Sequence, residues 1–180
     1  MSNNLGFDFL VKKENKTITI KREFAAELPL VWDAYTKSEI LDQWWAPKPW
    51  KASTKILNFR EGGQWSYIME GPNGEKIGAI GNYTNIQVQK KFTVQDFAFT
   101  DANGAINKDM PQSVWEVTFT DKGELTLVEL KISYDDITQL EATIQTGFKE
   151  GFTLAMEGLD ELLASLKKIS LRPFLGAVLT

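Results

Sequence analysis

From Lys51 to Tyr134 the chain alternates apolar and polar residues, and clusters of Gly, Asn and Asp interrupt the alternation at short intervals. A period of two puts successive side chains on opposite faces of a strand, so this segment is bound to a sheet with one buried face. Breaks fall at Glu61-Gly62-Gly63, Gly71-Pro72-Asn73-Gly74, Asp101-Ala102-Asn103-Gly104 and Asp121-Lys122-Gly123, with Thr84-Asn85 a weaker one. They leave strands at Ser53–Arg60, Gln64–Glu70, Glu75–Tyr83, Lys91–Thr100, Ser113–Thr120 and Glu124–Tyr134. Strands joined by tight turns form an antiparallel meander. The longest break, Asp101 to Gln112, reads first as a surface tip, with a lid as the alternative.

After the meander the period changes. Asp136 precedes Gln139 by three residues, the spacing of an N-cap and capping box. At 100° per residue, Leu140, Ile144, Phe148, Phe152, Ala155, Leu159, Leu162, Leu163 and Leu166 fall within an arc of roughly 140°. Lys149, Glu150, Thr153, Glu157, Asp160, Glu161 and Lys168 take the other side, so one long amphipathic helix is expected. Upstream, Phe7, Phe9 and Val11, then Ile18, Ile20 and Phe24, alternate around Lys13-Glu14-Asn15-Lys16 as a hairpin. Pro29 suits the first turn of a short helix, with Leu28 at the cap position. Thr36-Lys37-Ser38-Glu39 has capping-box spacing, with Ser38 an alternative cap, and opens a second helix through Trp45, ended by Pro47 and Pro49. Helices segregated from an antiparallel sheet make an α+β domain. The expectation is a single domain over 1–168 and a C-terminal tail over 169–180, with an extra N-terminal hairpin strand.

Composition closes many reaction classes. Among 180 residues there is no cysteine and no histidine, which removes disulfides, thiolate chemistry, the Ser-His-Asp triad and the commonest zinc ligands. Twenty Lys and Arg against twenty-four Asp and Glu give a net charge of −4, which argues against a nucleic-acid or anionic-membrane partner. No signal-type N-terminus and no apolar run long enough to span a bilayer is present, so a cytoplasmic location is expected. The Gly-rich turns precede strands and lack a Gly-Lys-Ser/Thr, so none is a phosphate loop, and no cofactor or metal is expected.

The long helix carries Gly147, Gly151 and Gly158, each costing about 0.8–1.0 kcal/mol relative to alanine in a helix interior. On the helical wheel they lie within roughly 40° of one another on the apolar side. Missing side chains there either let the backbone press on the sheet or leave space. Trp65, Tyr67, Met69, Trp115 and Phe119 alternate on strands, and with Phe148 and Phe152 they would line an apolar pocket. The same rings serve equally as core filling.

Val31-Trp32-Asp33-Ala34-Tyr35-Thr36, Trp44-Trp45-Ala46-Pro47, Phe59-Arg60-Glu61-Gly62-Gly63-Gln64-Trp65-Ser66-Tyr67 and Gly71-Pro72-Asn73-Gly74-Glu75 occur in that order. Together they resemble the bacterial homologues of the activator of heat-shock protein 90 ATPase, in the START-like, birch-allergen-like (SRPBCC) superfamily, over about Thr17 to Leu166. The resemblance implies the helix-grip fold: a curved antiparallel sheet wrapped on a long C-terminal helix, with two short helices after the first long strand. It implies less about function. Superfamily members bind sterols, lipids, polyketides or plant hormones, and some are cyclases or hydrolases; the eukaryotic activator makes its main chaperone contacts through a separate N-terminal domain, for which 180 residues leave no room.

Acid–base chemistry without histidine would fall to carboxylates. Asp96, between Phe92-Thr93-Val94 and Phe97-Ala98-Phe99, reads as a side chain on the solvent face, with a cavity-facing acid as the alternative. Glu141, on the apolar arc in the first turns of the long helix, is placed at the cavity mouth. Arg60 and Glu61 read as a surface pair. Trp44, Trp45 and Trp50 with Pro47 are expected to cover one open end of the sheet with one of the three partly exposed, the alternative being an exposed docking patch for a chaperone partner. The expected activity is non-catalytic binding of a small apolar or amphipathic ligand between sheet and helix, by Trp65, Tyr67, Met69, Trp115, Phe119, Glu141, Gly147, Phe148, Gly151 and Phe152. The alternatives are a co-chaperone-like interaction module and a carboxylate-based cyclase or hydrolase.

Overall fold

The computed structural model describes residues 5–178, with side chains through residue 169. The hairpin is β1 (Phe7–Lys12) and β2 (Thr17–Phe24) around a 3-10 turn at Lys13–Asn15. Two short helices follow, α1 (Leu28–Thr36) and α2 (Ser38–Leu41). The meander is β3 (Lys51–Leu57), β4 (Gln64–Glu70), β5 (Lys76–Gln87), β6 (Lys91–Thr100), β7 (Ser113–Lys122) and β8 (Leu125–Ser133). The C-terminal part is α3 (Ile137–Gln145) and α4 (Phe148–Val178).

All eight strands form one antiparallel sheet in the order β1-β2-β8-β7-β6-β5-β4-β3, so β2 docks on the last strand of the meander. The alternating positions Ile18, Ile20 and Phe24 of β2, Val128, Leu130 and Ile132 of β8, and Trp115, Val117 and Phe119 of β7 are buried. Against them lie Leu140 of α3 and Phe152, Ala155, Met156, Leu159 and Leu163 of α4, spaced as one face of a helix. The sheet bends where its register slips, at Thr54/Ile56, Ile80/Asn82, Thr84/Gln87 and Val94/Phe97.

Several local expectations change. The single long helix is two, because Gly147 takes φ +83° and ends α3 as a left-handed residue after Thr146. Asp136 caps α3 as read, accepting the Gln139 N–H at 2.9 Å. The α1 cap is Glu27, and it makes no side-chain cap bond. The second capping box does not form: α2 starts after Lys37 and stops at Leu41, and the Thr36 hydroxyl donates back to the Trp32 carbonyl. Thr84-Asn85 is a bulge inside β5, with Asn85 at φ +52°. Glu61 does not pair with Arg60; its carboxylate takes the N–H groups of Asn85 and Ile86 at 3.1 and 2.7 Å. α4 stays helical through Val178, across most of the expected tail, whose last two residues, 179–180, lie outside the described residues.

Candidate functional site

Where the α3–α4 joint meets the sheet, an apolar cleft of about 230 Å³ remains. That is the space of roughly seven or eight waters, somewhat below the ~300–1,000 Å³ of sites for drug-sized ligands. One wall is Tyr67 and Met69 of β4, Phe97 and Phe99 of β6 and Trp115 of β7. The other is Phe148, Gly151 and Phe152 on the first turns of α4, with Thr146-Gly147 at the joint and Trp45 and Pro47 closing the end. Met69, Phe99, Phe148 and Gly151 are part-exposed, so the cleft opens to solvent. A Cβ on Gly151 would meet only Pro47 Cγ, at 3.8 Å, and one on Gly158 would meet nothing within 4 Å. The helix backbone is therefore not pressed onto the sheet at either position.

Trp45 forms the inner end. Its ring lies 5.1 Å from Trp65, 5.8 Å from Trp115 and 5.7 Å from Phe152, the last nearly perpendicular at 82°. Edge-to-face packing of this kind fills space well. Behind it a space of about 10 Å³ remains between the sheet and the α1–α2 segment, bordered by Tyr35, Trp45, Trp65, Tyr83 and Trp115 among others. Three polar atoms of these residues are buried without a hydrogen-bond partner: Trp45 Nε1, Trp65 Nε1 and the Tyr35 hydroxyl. Burial pushes the Tyr35, Tyr67 and Tyr83 hydroxyls well above their ordinary value. All three are neutral phenols across the working pH range.

The expected site residues divide. Tyr67, Met69, Trp115, Gly147, Phe148, Gly151 and Phe152 border the cleft. Trp65 borders the small space behind Trp45 instead. Phe119 is core: its ring packs on Trp32 at 4.9 Å and Tyr35 at 5.4 Å. Glu141 points away from the cleft; its side chain is 47% exposed and faces Lys13 at 3.7 Å, because α3 ends before the wheel of α4 begins. Asp96 is exposed, at φ +52° in the β6 bulge.

Trp45, Pro47, Phe97, Phe99 and Thr146 were missed. Strict alternation from Phe92 and Val94 would turn position 96 inward and 97 outward. The bulge between Val94 and Phe97 reverses that parity, which buries Phe97 and sends Asp96 to solvent. An acidic residue inside an apolar strand was the available signal. Trp44 and Trp45 are both buried, and the Trp44 N–H donates to the Ala34 carbonyl at 2.9 Å. These two cover the sheet end, while Trp50 is part-exposed.

A curved antiparallel sheet gripping a long C-terminal helix, with two short helices between β2 and β3, defines the helix-grip fold of START-like proteins. The family model described as activator of Hsp90 ATPase homolog 1-like protein matches residues 25–164, and the chain belongs to that family. Among solved structures it is similar to protein Ms6760 from Mycobacterium smegmatis, 28% identical, TM-score 0.80, covering 88% of this chain and 96% of that one. It is also similar to a protein from Arthrobacter aurescens, 25% identical, TM-score 0.83, covering 88% and 91%. The AHSA1 protein from Silicibacter pomeroyi, 20% identical with TM-score 0.66 and coverage of 82% and 97%, shares the fold. No curated protein matches the chain. Among the described residues no helix is long and apolar enough to cross a membrane, and no three acidic side chains gather as a metal site.

Proposed function

We propose that this chain binds a small apolar or amphipathic molecule in the cleft between β4, β6, β7 and α4, without transforming it, in the cytoplasm. The observation that supports the reading is the cleft itself: about 230 Å³ walled by aromatic and aliphatic groups, beside a helix whose glycine leaves the wall open. Exposed apolar concavities of this kind are costly to leave to water and favour an apolar occupant. The carboxylates weighed for cyclase or hydrolase chemistry, Asp96 and Glu141, stand outside the cleft. Titration with indane, followed by protein-observed NMR, tests the reading. Saturable binding that broadens the Trp115 and Phe152 signals is expected; no binding across a panel of apolar probes of this size overturns it.

The family description motivates a second reading, a co-chaperone-like module acting on an Hsp90-type partner. With Trp44 and Trp45 buried, that reading keeps only the part-exposed Trp50 and Pro47 of the aromatic patch that suggested a docking surface. An unchanged chaperone ATPase rate on adding this chain removes it.

A further inference from the structure

The polar groups of the cleft wall are few, and all but two are already engaged. The Trp115 N–H donates to the Ser113 hydroxyl at 3.0 Å, and the Thr146 hydroxyl donates to the Thr143 carbonyl at 2.6 Å. Among the described residues no charged side chain borders the cleft. What remains is the Trp45 N–H, buried and unpartnered on a residue only 7% exposed, and the Tyr67 hydroxyl on a residue 4% exposed. The two lie side by side: their rings are 6.2 Å apart, and the Trp45 N–H opposes the upward push that burial gives the Tyr67 hydroxyl, though no hydrogen bond of good geometry joins them. An indole N–H only donates, and a phenol hydroxyl donates as well as accepts. A buried donor left unpaired costs a large part of its desolvation, so an occupant that supplies an acceptor gains more than its apolar area. A charged group in the same place would lose its hydration with no counter-charge to meet it.

We infer that the cleft selects uncharged molecules carrying one hydrogen-bond acceptor, a carbonyl or ether oxygen on an apolar skeleton, with that oxygen set between Trp45 Nε1 and the Tyr67 hydroxyl. This rests on the cleft being the binding site. The rings of Phe97, Phe148 and Phe152 hold the skeleton, and the oxygen points inward toward the Trp45 end, which fixes the orientation of the guest. Trp65, which borders the small space behind Trp45 and not the cleft, takes no part.

Three probes of one skeleton test it by calorimetric titration: indane, indanone and the indane carboxylate anion. In the unmodified protein indanone is expected to bind about tenfold more tightly than indane, and the carboxylate most weakly of the three. Trp45→Phe, which keeps one aromatic ring but removes the N–H and the second ring, should abolish the indanone preference whatever it does to the absolute affinity for indane. Trp65→Phe should leave that preference in place. Equal affinity for indane and indanone, a preference surviving Trp45→Phe, or strongest binding of the carboxylate overturns the inference. Saturable indane binding with no indanone preference defeats the inference alone; failure of every probe defeats it together with the reading of the cleft as a site. Because the comparison of probes uses the unmodified chain, the test stands even if Trp45→Phe does not fold.

Discussion

Gly151 faces Pro47 across the cleft, with room for a Cβ 3.8 Å from Pro47 Cγ and no other contact within 4 Å. A larger side chain at 151 therefore grows into the cleft rather than into the sheet. Gly151→Leu should fold with unchanged or higher stability, since Leu is a far better helix former than Gly, by about 0.5–1 kcal/mol. It should also abolish indane uptake. Thermal melts paired with the NMR titration check both halves. A Leu variant that still binds with parental affinity places the occupant elsewhere.

Two glycines four positions apart should respond oppositely to the same change. Gly147 sits at φ +83°, where a side chain is strained, so Gly147→Ala should cost about 1 kcal/mol. Gly151 lies inside α4 with open space at its Cβ, so Gly151→Ala should add about 0.5–1 kcal/mol. Urea denaturation with unchanged slopes measures the two signs directly. Equal effects would mean that α3 and α4 run on as one helix in solution.

Arg22 of β2 and Asp160 of α4 form an ion pair with side chains 14% and 32% exposed, and the guanidinium also lies 5.5 Å from the Phe7 and Phe24 ring centres. Burial raises the Asp160 carboxyl above its ordinary value against the opposing pull of Arg22. Asp160→Ala leaves a poorly solvated cation and should cost about 2 kcal/mol, less than the ~3–5 of a fully buried pair. Replacing both, Arg22→Met with Asp160→Leu, should recover most of that loss. A double variant no better than the single one would show that the pair matters for its geometry rather than its charge.

Glu23 carries a pH dependence. The hydrogen bond from Lys122, then the N–H of Gly6, hold its carboxyl below the ordinary 4.5, with burial opposing. A lowered folded value means the stabilisation is present above 4.5 and fades as the pH falls through the folded value. Glu23→Gln should therefore melt lower than the parent at neutral pH, and the gap should close on acidification. A gap that stays constant with pH would assign the effect to packing.

The strands were legible because alternation and turn chemistry are local. Each meander strand expected from Lys51 onward falls within a few residues of an observed one, and the Asp136 cap is where its side chain predicted. The departures are places where backbone conformation and residue type separate. Gly147 on a wheel looks like one more small residue on the apolar face, and only its left-handed φ reveals a helix end. Asp96 and Asn85 reverse strand parity through bulges that a two-residue period does not encode. Position 45 is the deepest omission. As a tryptophan between short helices and two prolines, it looked like end cover, and its role depends on four rings brought from β4, β7 and α4. That assembly exists only in three dimensions.

Since Trp45 belongs to a connecting loop and not to a strand or to α4, the depth of the chamber is set by a core side chain that lies outside the regular elements. Shortening that one indole would join the outer cleft to the 10 Å³ pocket behind it, which Trp65 also borders. Descendants of this scaffold can thus lengthen their guests by exchanging a single plug.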